Sequence, residues 1–236
     1  MKKGKRKLGL LLTRPLEDTM ALARRLRHQG VHHSFDLYLQ PLLCIKELPS
    51  STSKTSIEGK DLIFTSRHGV SFFAKQNPCR MNAVWCVGHK TAQEARKHGF
   101  KRITIVKENA RSLRELLFKR DALTDYIHFS GADVSVDFEK ELPSRQCQRI
   151  LLYESVAAQE LRPTIKKAFN QQCIDVVILF SKKTAVTLSS HIDLPQRIHI
   201  LSLSQTIANV FPTHTSSLFS NDNDMVNKLK TLHEEP

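Results

Sequence analysis

Apolar runs of strand length alternate along this chain with stretches in which apolar residues recur at helical spacing. Asp61-Leu62-Ile63-Phe64-Thr65-Ser66 is followed by Val84-Trp85-Cys86-Val87-Gly88-His89-Lys90-Thr91-Ala92. The arrangement returns as Asp175-Val176-Val177-Ile178-Leu179-Phe180-Ser181 and His199-Ile200-Leu201-Ser202-Leu203-Ser204-Gln205-Thr206-Ile207-Ala208. Ser66 to Thr91 and Ser181 to Thr206 each span 25 positions, which offsets the copies by 115. Each copy predicts a buried strand ending in a small hydroxyl residue, a helix, and a second strand turning into a helix at a threonine. Such alternation predicts parallel sheet, and ligands bind at the carboxyl ends of such strands. Two facing copies would make one cleft between two domains.

The rest of the chain keeps this rhythm. Leu8–Thr13 is a short apolar run, and Glu17 and Asp18 open a helix carrying Met20, Leu22, Ala23 and Leu26, with Gly30 as its stop. Tyr38–Ile45 is extended but broken by Pro41, which places it at an edge or in a connection. Pro49–Lys60 is rich in Ser and Thr and predicts a loop. Strand–helix units then follow at Asp61–Thr65 with a helix to Gln76, Val84–Val87 with a helix to His98, Arg102–Val106 with a helix over Ser112–Leu123, and Tyr126–Ser130 with a helix to Leu142. Arg149–Glu154 is extended without a helix signal close behind it. The rhythm resumes with strands at Val176–Phe180, His199–Leu203 and Ser216–Phe219 and a last helix over Asp222–Leu232. Counting strands divides the chain into one domain from 1–36 plus 160–236 and another from 46–148, with 37–45 and 149–159 as paired linkers. A single larger doubly wound sheet would produce the same alternation.

Composition narrows the partners. The 236 residues are 40% hydrophobic and 25% charged, as in ordinary globular proteins. No apolar run approaches the roughly 20 residues that span a bilayer. The basic start, Met1–Lys7, precedes only Leu8-Gly9-Leu10-Leu11-Leu12, and the missing cleavage signal argues against export. The five cysteines form no CxxC pair, which fits reduced thiols and a cytoplasmic address. Of the net charge of +13, five charges come from Lys2, Lys3, Lys5, Arg6 and Lys7, leaving +8 elsewhere. That excess suits an anionic partner or is an uncommitted basic surface. With no zinc finger, RNP-like motif or basic recognition helix, no nucleic acid is expected as partner, and a small polyanion fits at least as well.

The chemistry-bearing positions lie at strand ends. Ser66, Ser130 and Ser181 each close a strand, where a hydroxyl caps the next helix; the same helix N-terminus can instead hold a carboxylate or phosphate. Thr91 and Thr206 open their helices under the same two readings. No GxSxG elbow, GxxxxGK[ST] loop, GxGxxG turn or HExxH pair is present, so no cofactor and no metal is expected. Tyr153, with Glu154 beside it, sits on the second linker. Its phenol can donate a proton to a departing oxygen, or can simply pack with its hydroxyl wet.

In order and spacing, several of these segments together resemble uroporphyrinogen-III synthase. They are Leu10-Leu11-Leu12-Thr13-Arg14-Pro15, Leu62–Ser66, Val87-Gly88-His89-Lys90-Thr91-Ala92, Phe129-Ser130-Gly131, Leu152-Tyr153-Glu154-Ser155-Val156, Phe180-Ser181 and Gln205-Thr206. The resemblance implies an α/β fold of two flavodoxin-like parallel-sheet domains joined by a two-stranded linker. It also implies a monomer that cyclises hydroxymethylbilane with inversion of ring D and loss of water. Tyr153 matches the family tyrosine proposed to assist hydroxyl loss. Thr91, Thr206, Ser66 and Ser181 match cleft-lining hydroxyls, and Gly131 matches a glycine whose N–H can approach a carboxylate. By type or position, Thr13, Arg14, His68, Lys90 and Ser130 join them as substrate contacts. Where Gly commonly precedes the Thr-Ala pair, this chain has Leu203-Ser204-Gln205-Thr206-Ile207, which unsettles the turn and the pose of Thr206. A non-catalytic two-domain protein binding an acidic ligand or nucleic acid is the alternative.

Overall fold

The computed structural model describes residues 6–49, 57–120, 124–142 and 147–234. In chain order its elements begin β1 (Leu8–Leu12), α1 (Leu16–His28), β2 (Phe35–Leu39), β3 (Leu43–Glu47), β4 (Asp61–Phe64), α2 (Arg67–Gln76), β5 (Val84–Val87), α3 (His89–Lys97) and β6 (Ile103–Val106). Then come α4 (Ala110–Phe118), β7 (Tyr126–Gly131), α5 (Phe138–Glu141), β8 (Cys147–Ala157), α6 (Pro163–Asn170) and β9 (Val176–Leu179). The chain ends with α7 (Lys182–Ser189), β10 (His199–Ser202), α8 (Gln205–Ala208), β11 (Ser216–Leu218) and α9 (Asp222–Glu234). Two compact units result: Met1–Cys44 with Val156–Pro236, and Ile45–Ser155.

The first unit holds a five-stranded sheet in the order β11-β10-β9-β1-β2, with every neighbouring pair parallel. Numbered within the unit, that is the 2-1-3-4-5 order of flavodoxin-like folds. Central strands covered on both faces must be apolar throughout. Leu10 to Leu12 and Val177 to Leu179 are accordingly fully buried. Alternate residues serve opposite faces: Leu11, Val177 and Ile200 join one core cluster, and Leu10, Leu12, Ile178 and Leu201 the other.

The second unit's sheet runs β3-β8-β7-β4-β5-β6. Its parallel core, β8-β7-β4-β5-β6, is laid out in space like the first sheet, but the chain enters it at the third strand instead of the second. The unit is thus a circular permutation of the same arrangement. Leu62, Phe64, Ile127 and Phe129 pack on one face, and Ile63, Trp85 and Tyr126 on the other. β3 runs antiparallel to β8: the Leu48 N–H donates to the Leu152 carbonyl, and the Ala158 N–H to the Leu42 carbonyl. These two strands carry the chain across both unit boundaries.

Several elements differ from the sequence expectation. Tyr38–Ile45 is not one extended stretch. It contains the end of β2 and most of β3, edge strands of different sheets, and Pro41 lies in the break where no ladder N–H is needed. Helix α6 carries no acidic first turn and starts on Pro163, a residue that suits the first helical position because its missing N–H would go unpaired there. The helix expected over Ser112–Leu123 starts earlier, capped by the Asn109 side chain, and ends at Phe118; positions 121–123 lie outside the described residues. The helix expected up to Leu142 is a single turn, α5. Met20 faces solvent rather than the core. Most of the loop expected over Pro49–Lys60 lies outside the described residues.

Candidate active site

In a 2-1-3-4-5 sheet the strand order reverses beside the first strand, and ligands bind in the crevice beyond the carboxyl ends there. That point lies between β1 and β9 in the first unit, and between β7 and β4 in the second. Thr13, Arg14 and Ser181 end the first pair; Ser130, Gly131 and Ser66 end the second. Strand register makes the correspondence explicit. Leu10 pairs with Val176 and Tyr126 with Asp61, so Arg14 holds in one unit the place that Ser130 holds in the other.

Around the second unit's switch point the side chains converge on Tyr153. Ser66 is the N-cap of α2 and accepts from the His68 N–H at 3.2 Å. From the first and second turns of α2, His68 and Phe72 bring their rings to 6.0 and 5.7 Å from the Tyr153 ring. Gly131 is closer still: an added Cβ there would sit 2.5 Å from Tyr153 Cε2. The Ala132 N–H donates to the Tyr153 carbonyl at 2.9 Å. Burial pushes the Tyr153 phenol above its ordinary value; hydrogen bonds from the Ser66 side chain and the Gly131 backbone pull it back, and Asp133 adds a smaller upward push. The phenol is therefore protonated near neutrality and already hydrogen-bonded, the state a proton or hydrogen-bond donor needs.

A bulge aims this tyrosine. Ser130 pairs with Leu151 but Gly131 pairs with Tyr153, so β8 carries an extra residue there. Before the bulge Cys147 packs on one face and Ile150 on the other, and the inserted Leu152 keeps the Ile150 face. Beyond it Tyr153 joins the Leu152 face, which strict alternation forbids.

The first unit offers a different set. Arg14 lays its guanidinium over the Phe180 ring at 4.5 Å and comes within 3.9 Å of Asp18; Phe180 in turn meets Phe219 edge-on at 5.3 Å. Ser181 caps α7 by accepting from the Thr184 N–H at 3.1 Å. The Thr13 hydroxyl is committed to the sheet: fully buried, it donates to the Ile178 carbonyl at 2.7 Å.

The repeated threonines are not equivalent. Gly88 caps α3 with φ +79°, a left-handed value natural to glycine, and Thr91 is the third helical residue, buried at 5% exposure. In the other copy Ser204 caps α8 in extended backbone, one residue later in register, so Thr206 is only the second helical residue and is exposed. One residue turns a side chain by about 100° around a helix. Thr206 thus holds the helical place of Lys90, also exposed, while buried Ile207 holds that of Thr91.

Three residues were not singled out in the sequence. Phe72 lies one turn beyond His68 on α2, a spacing that helical periodicity reveals. His128 is fully buried on β7, 3.3 Å from the Thr65 hydroxyl and edge-on to Phe138. Burial above all, helped by Arg149 and opposed by Asp137, lowers it to about 3. Arg149, from β8, reaches the end of β7, and nothing in its local sequence signals that contact. Among the described residues no group of three or more His, Cys, Asp or Glu is arranged to hold a metal, and no helix is long and apolar enough to cross a membrane.

Paired parallel-sheet units with capped helix N-termini, hydroxyls and an arginine at their switch points define a class of two-unit α/β proteins suited to anionic organic ligands. Solved proteins share this fold. A uroporphyrinogen-III synthetase from Helicobacter pylori superposes with a TM-score of 0.64 at 13% identity, covering 96% of this chain and 100% of that one. A mutant uroporphyrinogen III synthase from the extremely thermophilic bacterium Thermus thermophilus gives 0.56 at 13% identity, covering 97% and 100%. No curated protein sequence matches the chain. The model of the family described as uroporphyrinogen-III synthase HemD matches residues 21–215, and the chain belongs to that family.

Proposed function

We propose that this protein is a uroporphyrinogen-III synthase, a lyase that closes hydroxymethylbilane into uroporphyrinogen III. The observation that carries the reading is the family match over residues 21–215, which enters both units. The reaction removes the terminal hydroxyl as water, forms a bond from the substituted carbon of ring D, and rearranges so that ring D is inverted. The substrate's carboxylates call for cations and free N–H groups. Arg14, Lys90, His68 and the N-termini of α2 and α7, capped by Ser66 and Ser181, supply these in our reading; Ser130, Gly131, Thr91 and Thr206 complete the candidate set.

Tyr153 is our candidate for the group that assists departure of the hydroxyl. Protonated and held by Ser66 and Gly131, it can donate a hydrogen bond to the leaving oxygen. The remaining task is positional: folding the bilane so that the substituted carbon is the nearest nucleophile, a kind of effect that reaches several kcal/mol. We further propose a monomer acting in the cytoplasm.

The test is incubation with freshly generated hydroxymethylbilane and separation of type I from type III isomers. Wild type should give type III. Tyr153→Phe should lose turnover by about 10²-fold or more, in the range of acid catalysis, with its circular dichroism unchanged. Type I alone from wild type refutes the activity; undiminished turnover by Tyr153→Phe removes that residue from the chemistry.

A further inference from the structure

Arg149 makes more directed contacts than any role in strand pairing requires. Its side chain is 17% exposed, on the face of β8 opposite to Tyr153. Nε donates to the Ser130 hydroxyl at 2.9 Å, and Nη2 donates to the carbonyls of Gly131 and Ala132, each at 2.8 Å. Nη1 lies 3.9 Å from Asp137, which supplies a countercharge. Three consecutive residues at the carboxyl end of β7 are therefore held by one rigid, planar group. They form the turn at which the pairing of β7 and β8 slips by one residue.

The other side of that turn belongs to Tyr153. Gly131 is so close to the ring that no side chain fits between them, and the Ala132 N–H is bonded to the Tyr153 carbonyl. The turn is thus sandwiched, its carbonyls pulled toward the guanidinium and its remaining surface pressed on the phenol ring. By register the position of Arg149 in the first unit is Leu39, so the device exists in one unit only. A lysine cannot replace it, because a single ammonium lacks the fork that reaches a hydroxyl and two carbonyls at once.

We propose that Arg149 is a positioning residue for the reaction, acting through the Ser130–Ala132 turn to fix the ring and hydroxyl of Tyr153. This rests on the reading of Tyr153 given above, so its test needs a readout independent of turnover. Arg149→Lys keeps the charge and removes the fork. It should lower kcat about tenfold, the effect of one charge-assisted hydrogen bond, with KM within about twofold. Ultraviolet difference titration, with Tyr153→Phe identifying the Tyr153 signal, should show that phenol ionising at higher pH in Arg149→Lys, because the Gly131 N–H no longer faces it. Ser130→Ala, which removes the Nε acceptor, should move the titration the same way by less, and serves if Arg149→Lys does not fold. A Tyr153 titration unmoved in the folded variants overturns the proposal whatever their activity. A shifted titration alongside fully active Tyr153→Phe would uphold the positioning and refute the role of Tyr153 in the chemistry.

Discussion

Gly131→Ala adds one methyl group against the residue we place at the chemistry. The backbone of Gly131 is not in the left-handed region, so alanine fits the main chain and the effect is purely steric. The new Cβ would sit 2.5 Å from Cε2, 2.7 Å from Cζ and 3.1 Å from the hydroxyl of Tyr153. Carbon atoms rest at roughly 3.5–4.0 Å, so the ring must retreat by about 1 Å. The ring is already packed with His68 and Phe72, whose centroids lie at 6.0 and 5.7 Å, so it cannot move without disturbing these contacts. Misplacing a catalytic group by about 1 Å can cost on the order of 10²-fold in rate. We therefore expect kcat to fall about 100-fold with KM changed far less, since Arg14 and Lys90 are untouched by the substitution. Overpacking should also lower stability by roughly 1–3 kcal/mol, visible in denaturant titration. The assay is formation of the type III isomer from fresh hydroxymethylbilane. A double-mutant cycle with Tyr153→Phe locates the effect: if Gly131 acts through the phenol, the second substitution adds little to the first. Gly131→Ala with kcat within a factor of two of wild type, or with its full cost retained beside Tyr153→Phe, refutes the reasoning.

His128 makes the protein acid-sensitive. Its folded value of about 3 lies below the ordinary 6.5, so the unfolded chain binds the extra proton; this contribution to stability is complete above pH 6.5 and is lost as pH falls toward 3. The loss should be about 2 kcal/mol between pH 7 and pH 5, measured by urea unfolding, and a pH slope unchanged in a folded His128→Gln variant would refute the assignment. Thr206→Val, on an exposed helical position, should lower kcat/KM by about tenfold with Tm unchanged, as expected for one hydrogen bond to a charged group. Thr91→Val, in the buried place, should cost less activity than Thr206→Val; the reverse order would refute the register argument.

The alternating pattern disclosed the parallel sheets because β1, β4 and β9 are covered on both faces and are apolar over most of their length. Ser66 and Ser181 were legible as caps for a local reason: an N-cap acts on N–H groups two or three residues ahead. Ser130 looked like a third cap and is instead an acceptor for Arg149, 19 positions away, a partner no local rule could supply. Tyr153 was visible as a residue type in a suitable place, but its facing was not, because a bulge reverses the alternation that would predict it. Equal spacing suggested that Thr91 and Thr206 correspond. The helices begin one residue apart, however, and burial separates the two side chains.

The permuted sheet order explains why the internal repeat is so short. In space β9, β10 and β11 correspond to β4, β5 and β6 and keep their chain order; matching Val177 to Leu62, an offset of 115, brings Ile200 to Val84, an offset of 116, so the repeat drifts by only one residue across the first two pairs. The next correspondence, β1 with β7, runs in the opposite direction along the chain. β1 comes before β9, whereas β7 comes after β4. No single offset can join the two blocks, and at the other end Ser216 of β11 falls at Ile103 of β6, an offset of 113, so the visible repeat covers two strands even though five correspond. The switch point lies where this break occurs, between β1 and β9 and between β7 and β4. Each candidate half-site thus takes one strand end from inside the visible repeat, Ser181 or Ser66, and one from outside it, Arg14 or Gly131. The repeated serines mark where the half-sites are, and their unrepeated neighbours make the two chemically different: an arginine stacked on an aromatic ring in one unit, and a bare backbone turn against a phenol in the other.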